Sequence, residues 1–182
     1  GGIVNRATFL VWGVQNMDRF TFDQHINIGN NANEIIEQMI DGVSNFNDEL
    51  VSPKELEDWV AKKISSVDPV KDIEEYDLVH RLDNLCRMYK EYVKFKSGID
   101  AMDYDDLIVK SYKLLSDSNY SHILHRMQKK FRYILVDEFQ DNNFAQFSLV
   151  EKIAKDGNIT AVGDPDQNIY RFQGAYTQIF EH

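Results

Sequence analysis

Two apolar runs in the second half of the chain end abruptly in acidic residues. Tyr133–Val136 is followed directly by Asp137 and Glu138, and Ile159–Val162 is followed, after one glycine, by Asp164. Carboxylates of this kind bind hard divalent cations such as Mg²⁺, and a second carboxylate beside the metal can orient or deprotonate a water molecule. The pattern therefore predicts a site for a metal-assisted reaction.

The elements around these acids must bring them together. A helical pattern over Asn143–Lys155 separates the two runs, and the whole segment exceeds the dozen residues that a crossover between parallel strands needs. Such a crossover is almost always right-handed and returns the chain in the same direction. We therefore expect the acids of both runs, and the loop that contains Gln167, to meet at one edge of a sheet, where ligands bind in open α/β folds.

Several carboxylates at one edge of a sheet repel each other. A divalent cation offsets this repulsion, and Mg²⁺ prefers a site with one or two carboxylates, waters and substrate phosphates. The alternative is that Asp137, Glu138 and Asp164 are solvated turn residues and helix caps.

Exposed aromatic residues are expected in the loop after the second run. Tyr170 and Phe172 flank Arg171 in a polar segment bounded by glycines. Aromatic side chains in such a setting stack on nucleobases, at about 1–3 kcal/mol per base. They can equally pin the loop to the sheet, and the residues alone do not decide between these two roles.

Composition sets the broad class. The 182 residues are 43% hydrophobic and carry a net charge of −10, which suits one sizeable domain or two small ones. One cysteine, no signal peptide and no apolar run of about 20 residues predict a soluble, cytoplasmic protein without a membrane partner. The acidic charge argues against a surface that coats nucleic acid, although a local groove can still bind phosphate.

The first hundred residues are mostly helical in pattern. Thr8–Val14 is either a strand or a buried part of a helix, and residues 1–31 are otherwise hard to interpret. A helix is expected to begin at the capping residue Asn31 and to end at Gly42. Another should start at Ser52, which is followed by Pro and Glu at the preferred positions.

The longest helical pattern covers residues 71–96, and shorter helices are expected after the capping residue Asp103 and over about Tyr120–Lys130. Basic residues on the long helix are expected to form a solvated face, with a DNA-facing stripe as the alternative. These residues are Arg81, Arg87, Lys90, Lys94 and Lys96.

Two segments resemble motifs of a known family. VDEFQD at residues 136–141 and VGDPDQNIYRFQGA at residues 162–175 are similar to motifs II and III of superfamily 1 DNA helicases of the UvrD/Rep/PcrA type. Met102–Ile108 resembles the segment in which such helicases return from a helical insertion to the first RecA-like domain. The resemblance is specific over about residues 102–182 and weaker over about 31–101.

The resemblance implies a nucleotide site for ATP and Mg²⁺. Asp137 would hold the Mg²⁺ of Mg-ATP, and Glu138 would activate the hydrolytic water. Gln167 would sense the γ-phosphate and couple it to DNA, as a catalytic and nucleotide-binding residue. Gln140 and Asp164 match the motifs as further residues of the nucleotide site.

The resemblance also implies DNA as a partner, in single-stranded and duplex form. Tyr170 and Phe172 would stack on single-stranded bases, with Arg171 beside them. Gln173 stands where the family usually has Arg, so a charged contact is lost and its coupling role is in doubt.

The sequence lacks other parts of such a motor. No Gly-x-x-x-x-Gly-Lys-[Ser/Thr] segment is present, and the chain ends at His182, before a second motor domain. We therefore expect a fragment that needs the remaining helicase domains as partners and that hydrolyses ATP negligibly by itself. The implied polarity of the whole motor is 3′–5′.

The predicted fold class is α/β. Residues 1–101 are expected to form a mainly helical insertion subdomain, with 1–31 uncertain, and residues 102–182 an incomplete parallel-sheet portion of a RecA-like, P-loop NTPase domain. Two alternatives remain from the residues alone. One is a metal-dependent nuclease built on the acids near the two strand ends, including Asp166. The other is a non-catalytic binding module left from a decayed helicase, whose gene would lack a Walker A sequence upstream.

Overall fold

The computed structural model describes residues 2–16 and 28–164, with side chains from residue 33 onward in the second range. This part of the chain is mostly helical, with two small parallel strand pairs. The helices are α1 (Arg6–Gln15), α2 (Ile28–Asp48), α3 (Pro53–Ile64), α4 (Ile73–Gly98), α5 (Tyr104–Ser116), α6 (Ser121–Lys130) and α7 (Phe144–Ile153). The strands are β1 (Gly2–Ile3), β2 (Ala101–Met102), β3 (Ile134–Val136) and β4 (Ile159–Ala161), and 3₁₀ turns cover Ser118–Tyr120, Phe139–Asp141 and Lys155–Gly157.

The chain divides into two compact units. The first comprises Gly1–Phe46 and Val51–Asp103, and the second comprises Asn47–Leu50 and Tyr104–His182. The predicted boundary lay between residues 101 and 102. The assignment of these parts to a helical insertion and a partial motor domain stays a prediction.

A buried apolar core holds the first unit together. Helices α1 to α4 contribute Phe9, Ile36, Val43, Leu56, Val60, Val79, Cys86, Met88, Tyr89 and Tyr92. The start of α3 is as expected, because the Ser52 side chain accepts from the Glu55 backbone while the Glu55 carboxylate accepts from the Ser52 backbone. The first unit also contains a strand pair that the sequence did not indicate, in which β1 runs parallel to β2.

Two expectations for the N-terminal helices are corrected by the structure. Helix α2 begins at Ile28, so Asn31 is not its N-cap, and it continues past Gly42 to Asp48. A Cβ atom at Gly42 would lie 2.6 Å from Cδ2 of Leu85, which shows that this glycine allows close packing against α4. Of the two structures considered for Thr8–Val14, the helix is correct.

Four of the five basic residues named on α4 are exposed or half-buried, as expected for a solvated face, but Lys96 is buried. Lys96 is 3% exposed, and its Nζ donates to Oδ2 of Asp103 at 2.7 Å and lies 4.2 Å from the centroid of the Tyr92 ring. The expectation for Lys96 was therefore wrong, because a carboxylate and an aromatic face replace its water. Earlier in this helix, carboxylates lie beside three more of the basic residues, in the pairs Arg87–Asp83, Lys90–Glu57 and Lys94–Glu91.

The second unit contains the parallel strand pair β3 and β4. Their register joins Ile134 to Ile159 and Val136 to Ala161, with α7 in the connection between them. The expected parallel crossover is thus confirmed. On α7 the buried residues are Ala145 and Ser148, whereas Phe144, Phe147, Val150 and Ile153 are half-buried.

Within the described ranges, every helix is too short or too polar to cross a membrane.

Candidate active site

The acidic residues after β3 and the residues after β4 lie at the same edge of the parallel pair. The backbone continues the pairing past the strands, because the Val162 N–H donates to the Val136 carbonyl at 2.8 Å. The Phe139 N–H then donates to the Val162 carbonyl at 2.9 Å. Both strand exits are therefore fixed against each other, as the crossover required.

The turn after β3 holds Glu138 in an unusual backbone conformation. Glu138 has φ 47° and ψ 47°, in the left-handed region that non-glycine residues rarely adopt. Its N–H donates to Oδ1 of Asp137 at 3.0 Å, and both side chains are exposed. Conformations of this kind cost about 1–3 kcal/mol and concentrate at functional sites. The turn thus presents two adjacent carboxylates to solvent.

A buried glutamine lies between the two strand exits. Gln140 is 2% exposed, its Nε2 donates to Oε2 of Glu138 at 2.7 Å, and its Oε1 accepts from the Asp164 N–H at 2.9 Å. One side chain therefore contacts the carboxylate after β3 and the backbone after β4. Next to it, the Phe139 ring packs edge-on against Phe147 of α7, with centroids 5.8 Å apart.

The start of α7 is fixed by a reciprocal cap. Oδ1 of Asn143 accepts from the Gln146 N–H at 2.8 Å, and Oε1 of Gln146 accepts from the Asn143 N–H at 3.1 Å. The side-chain amide nitrogen of Asn143, Nδ2, donates to the carboxylate of Asp48. Burial, with the nearby Asp105 and Glu49 carboxylates, raises the pKa of Asp48 to about 7.

The structure covers only part of the predicted site. It brings Asp137, Glu138, Gln140 and Asp164 to one edge. The other predicted site residues, Gln167, Tyr170, Arg171 and Phe172, lie outside the described residues, as do Asp166 and Gln173.

The chemistry of this edge fits Mg²⁺. Asp137 and Glu138 are adjacent, exposed and supply hard oxygen atoms, and Mg²⁺ binds through one or two carboxylates while keeping several waters. Among the described residues, no cluster of three or more His, Cys, Asp or Glu side chains could form an all-protein metal cage. Asp137 and Glu138 are therefore the described residues that could hold Mg²⁺ at this edge.

Two residues near the site were not singled out by the sequence. Gly163 was noted only as the residue between the strand and Asp164, although its lack of a side chain matters for Gln140. Asp48 lies 95 positions from its donor Asn143, and no local pattern indicates that contact. A signal for Gly163 exists in principle, since a glycine at a strand end often marks a close approach.

Carboxylates at the shared exit edge of two parallel strands occupy the position at which open α/β sheets bind ligands. Comparison with known proteins identifies the family to which the chain belongs. The family described as "UvrD/REP helicase N-terminal domain" matches residues 9–182. The chain therefore belongs to the family of UvrD/REP helicase N-terminal domains.

Three proteins that are similar to this chain are named ATP-dependent DNA helicases. The "ATP-dependent DNA helicase PcrA" of Staphylococcus epidermidis is 35% identical over 144 residues, which cover 76% of this chain and 17% of that protein. PcrA of Bacillus subtilis is 43% identical over 89 residues, covering 48% and 12%. The "ATP-dependent DNA helicase Rep" of Buchnera aphidicola subsp. Baizongia pistaciae is 41% identical over 96 residues, covering 52% and 14%. The chain thus spans less than a fifth of the length of these relatives.

Proposed function

We propose that this chain is part of an ATP-dependent DNA helicase or translocase, in which ATP hydrolysis drives movement along single-stranded DNA in the 3′–5′ direction. The observation that carries the proposal is the shared edge of β3 and β4, where the Gln140 side chain donates to the carboxylate of Glu138 and accepts from the backbone of Asp164 in the second matching motif. Membership of the UvrD/REP family supports the same function.

In this proposal the residues after β3 divide two tasks. Asp137 holds Mg²⁺ together with ATP, and the bound metal neutralises charge on the phosphates. Glu138 lies one residue further on and accepts a proton from the attacking water. Its left-handed backbone conformation and its hydrogen bond from Gln140 hold its carboxylate at the exit of the strand.

The remaining assignments concern the loop after β4 and the rest of the motor. Asp164 and Gln167 contribute to the nucleotide site, and Tyr170 and Phe172 stack on bases beside Arg171. Residues 1–101 act as the helical insertion and residues 102–182 as part of a RecA-like domain. The phosphate-binding lysine and its glycine-rich loop come from other parts of the protein, so the isolated chain hydrolyses ATP negligibly.

A separation-of-function experiment in the full-length protein tests the proposal. Asp137→Ala and Glu138→Gln should each lower the kcat of DNA-stimulated ATP hydrolysis at least about 100-fold, because a metal ligand or a general base is lost. Single-stranded DNA affinity should stay within about threefold. The reciprocal variant, Phe172→Ala, should weaken DNA affinity about 5-fold to 100-fold while ATP hydrolysis without DNA is retained.

Near-normal ATP turnover in Asp137→Ala would refute the nucleotide site, and unchanged DNA affinity in Phe172→Ala would refute stacking. The isolated chain provides a further check, since any ATPase activity that Glu138→Gln abolishes contradicts its proposed inactivity. The nuclease alternative uses the same acids, and metal-dependent DNA cleavage without nucleotide, lost in Asp137→Ala, would favour it.

A further inference from the structure

We propose that Gln140 is a positioning residue that orients the carboxylate of Glu138, and that residue 163 must be glycine to leave space for the Gln140 amide. This inference rests on the proposed role of Glu138 as the base in ATP hydrolysis. It assigns no contact with nucleotide or water to Gln140 itself, whose side chain is buried.

The orientation of the Gln140 amide follows from its two neighbours. The Asp164 N–H can only donate, so the atom 2.9 Å from it must be the amide oxygen. The amide nitrogen must then face Glu138, where a carboxylate oxygen 2.7 Å away accepts from it. Because a buried polar group left without a partner costs about 1–3 kcal/mol, the amide is held in this orientation from both ends.

Gly163 is required for space rather than for conformation. Among the described glycines, a positive φ occurs only at Gly157, so the φ angle of Gly163 is one that alanine can also adopt. A Cβ atom there would, however, lie 2.4 Å from Oε1 of Gln140, 3.0 Å from the Phe139 nitrogen and 3.2 Å from the Gln140 nitrogen. The contacts with the two backbone atoms need a shift of only a few tenths of an ångström, whereas the 2.4 Å contact forces the Gln140 amide itself to move.

The consequence is a short chain of contacts from the exit of β4 to the carboxylate of Glu138. The Asp164 backbone fixes the Gln140 oxygen, the rigid amide plane fixes its nitrogen, and the nitrogen fixes one oxygen of Glu138. Glu138 is otherwise exposed, so its rotamers are restrained little by packing. A base that is displaced by about 1 Å can lose on the order of 100-fold in rate.

Two variants of the full-length protein separate the two halves of this chain of contacts. Gln140→Glu keeps the size of the side chain and an acceptor for the Asp164 N–H, but it replaces the donor to Glu138 with a like charge. Gly163→Ala keeps Gln140 and removes its space. Each should lower kcat about 10-fold to 100-fold, while the KM for ATP and the affinity for single-stranded DNA stay within about threefold.

A double-mutant cycle distinguishes a steric conflict between residues 140 and 163 from a general loss of folded structure. In the Gln140→Ala background the closest atom to the new Cβ is gone, so adding Gly163→Ala should lower kcat by less than threefold further. Gly98→Ala is the matched control, because nothing lies within 4 Å of a Cβ at that glycine, and it should retain wild-type kcat.

The possible outcomes separate this inference from the proposed function. If Glu138→Gln retains wild-type kcat, the proposed base is wrong and the positioning role fails with it. If Glu138→Gln is inactive while Gln140→Glu and Gly163→Ala keep wild-type kcat, only the positioning role is overturned. It is also overturned if kcat, KM and thermal stability deteriorate together, or if the two effects multiply in the double variant.

Discussion

The two units treat a partly buried carboxylate in opposite ways. In the first unit, Asp103 has a side chain that is 14% exposed and accepts from the ammonium of Lys96 and the hydroxyl of Tyr92. In the second unit, Asp48 accepts from the neutral amide of Asn143, and its charged neighbours Asp105 and Glu49 are carboxylates that raise its pKa. In the first unit a counter-charge compensates the buried carboxylate, whereas in the second unit like charges make its ionisation less favourable.

The difference lies in the groups that surround each carboxylate. Burying a charge is tolerated where a counter-charge and hydrogen bonds accompany it, as at Asp103. Proteins depart from such local rules mainly at functional sites, where strain and charge are maintained by the surrounding fold. A left-handed non-glycine residue occurs in both units, at Asp100 in the first and at Glu138 in the second, but the raised pKa belongs to Asp48 of the second unit.

Removing the compensated carboxylate should have the largest effect on stability. Asp103→Ala leaves Lys96, whose side chain is 4% exposed, without this carboxylate, and losing one partner of a buried ion pair costs about 3–5 kcal/mol. Urea denaturation of the chain at pH 7 should report this loss in the free energy of unfolding.

Asp83→Ala is the matched control, because it breaks the exposed pair with Arg87 in the same helix and should cost no more than about 1 kcal/mol. Similar losses in the two variants would show that Asp103 is solvated, and the contrast between the units would disappear.

The apolar side chains of the two units provide a second, smaller test. Met88 is fully buried in the core of the first unit, and replacing it with alanine should cost about 2–5 kcal/mol. Leu135 lies in β3 of the second unit but is 71% exposed, so Leu135→Ala should change the free energy of unfolding by no more than about 0.5 kcal/mol. Equal losses would mean that another surface covers β3 in solution, which sedimentation at several concentrations would detect as self-association.

Much of the fold follows from local patterns in the sequence. The segment Ser52-Pro53-Lys54-Glu55 predicts the start of α3, and two apolar runs at crossover spacing predict the parallel pairing of β3 with β4. The same spacing predicts that Asp137 and Asp164 lie at one edge, because parallel strands end on the same side.

What the sequence could not reveal depends on contacts between distant residues. Glycine is typical of helix ends, but α2 continues past Gly42, where the missing side chain leaves room for Leu85 of α4. Lys96 has the spacing of a solvated face, but Asp103 draws it into the interior. The Gln140 bridge needs the register of β3 and β4 before its two partners can be identified.

The smallest predicted effect concerns the uncompensated carboxylate. Folding raises the pKa of Asp48 from 3.8 to about 7, so between these values the folded chain binds more protons at this residue than the unfolded chain. The contribution of Asp48 to the free energy of unfolding must then fall as the pH rises from about 4 to about 7, and stay at its lowest value above that range.

Asp48→Asn should remove this pH dependence while keeping an oxygen that accepts from Asn143. Thermal unfolding should show little change at pH 4 and a Tm higher by up to about 3 °C at pH 8, a modest gain because the side chain is only half-buried. Glu49→Gln, which removes one charge that raises the pKa of Asp48, should give a smaller gain in the same direction. If wild type and Asp48→Asn lose stability equally between pH 5 and pH 8, Asp48 is ionised throughout, and its charge is compensated as well as that of Asp103.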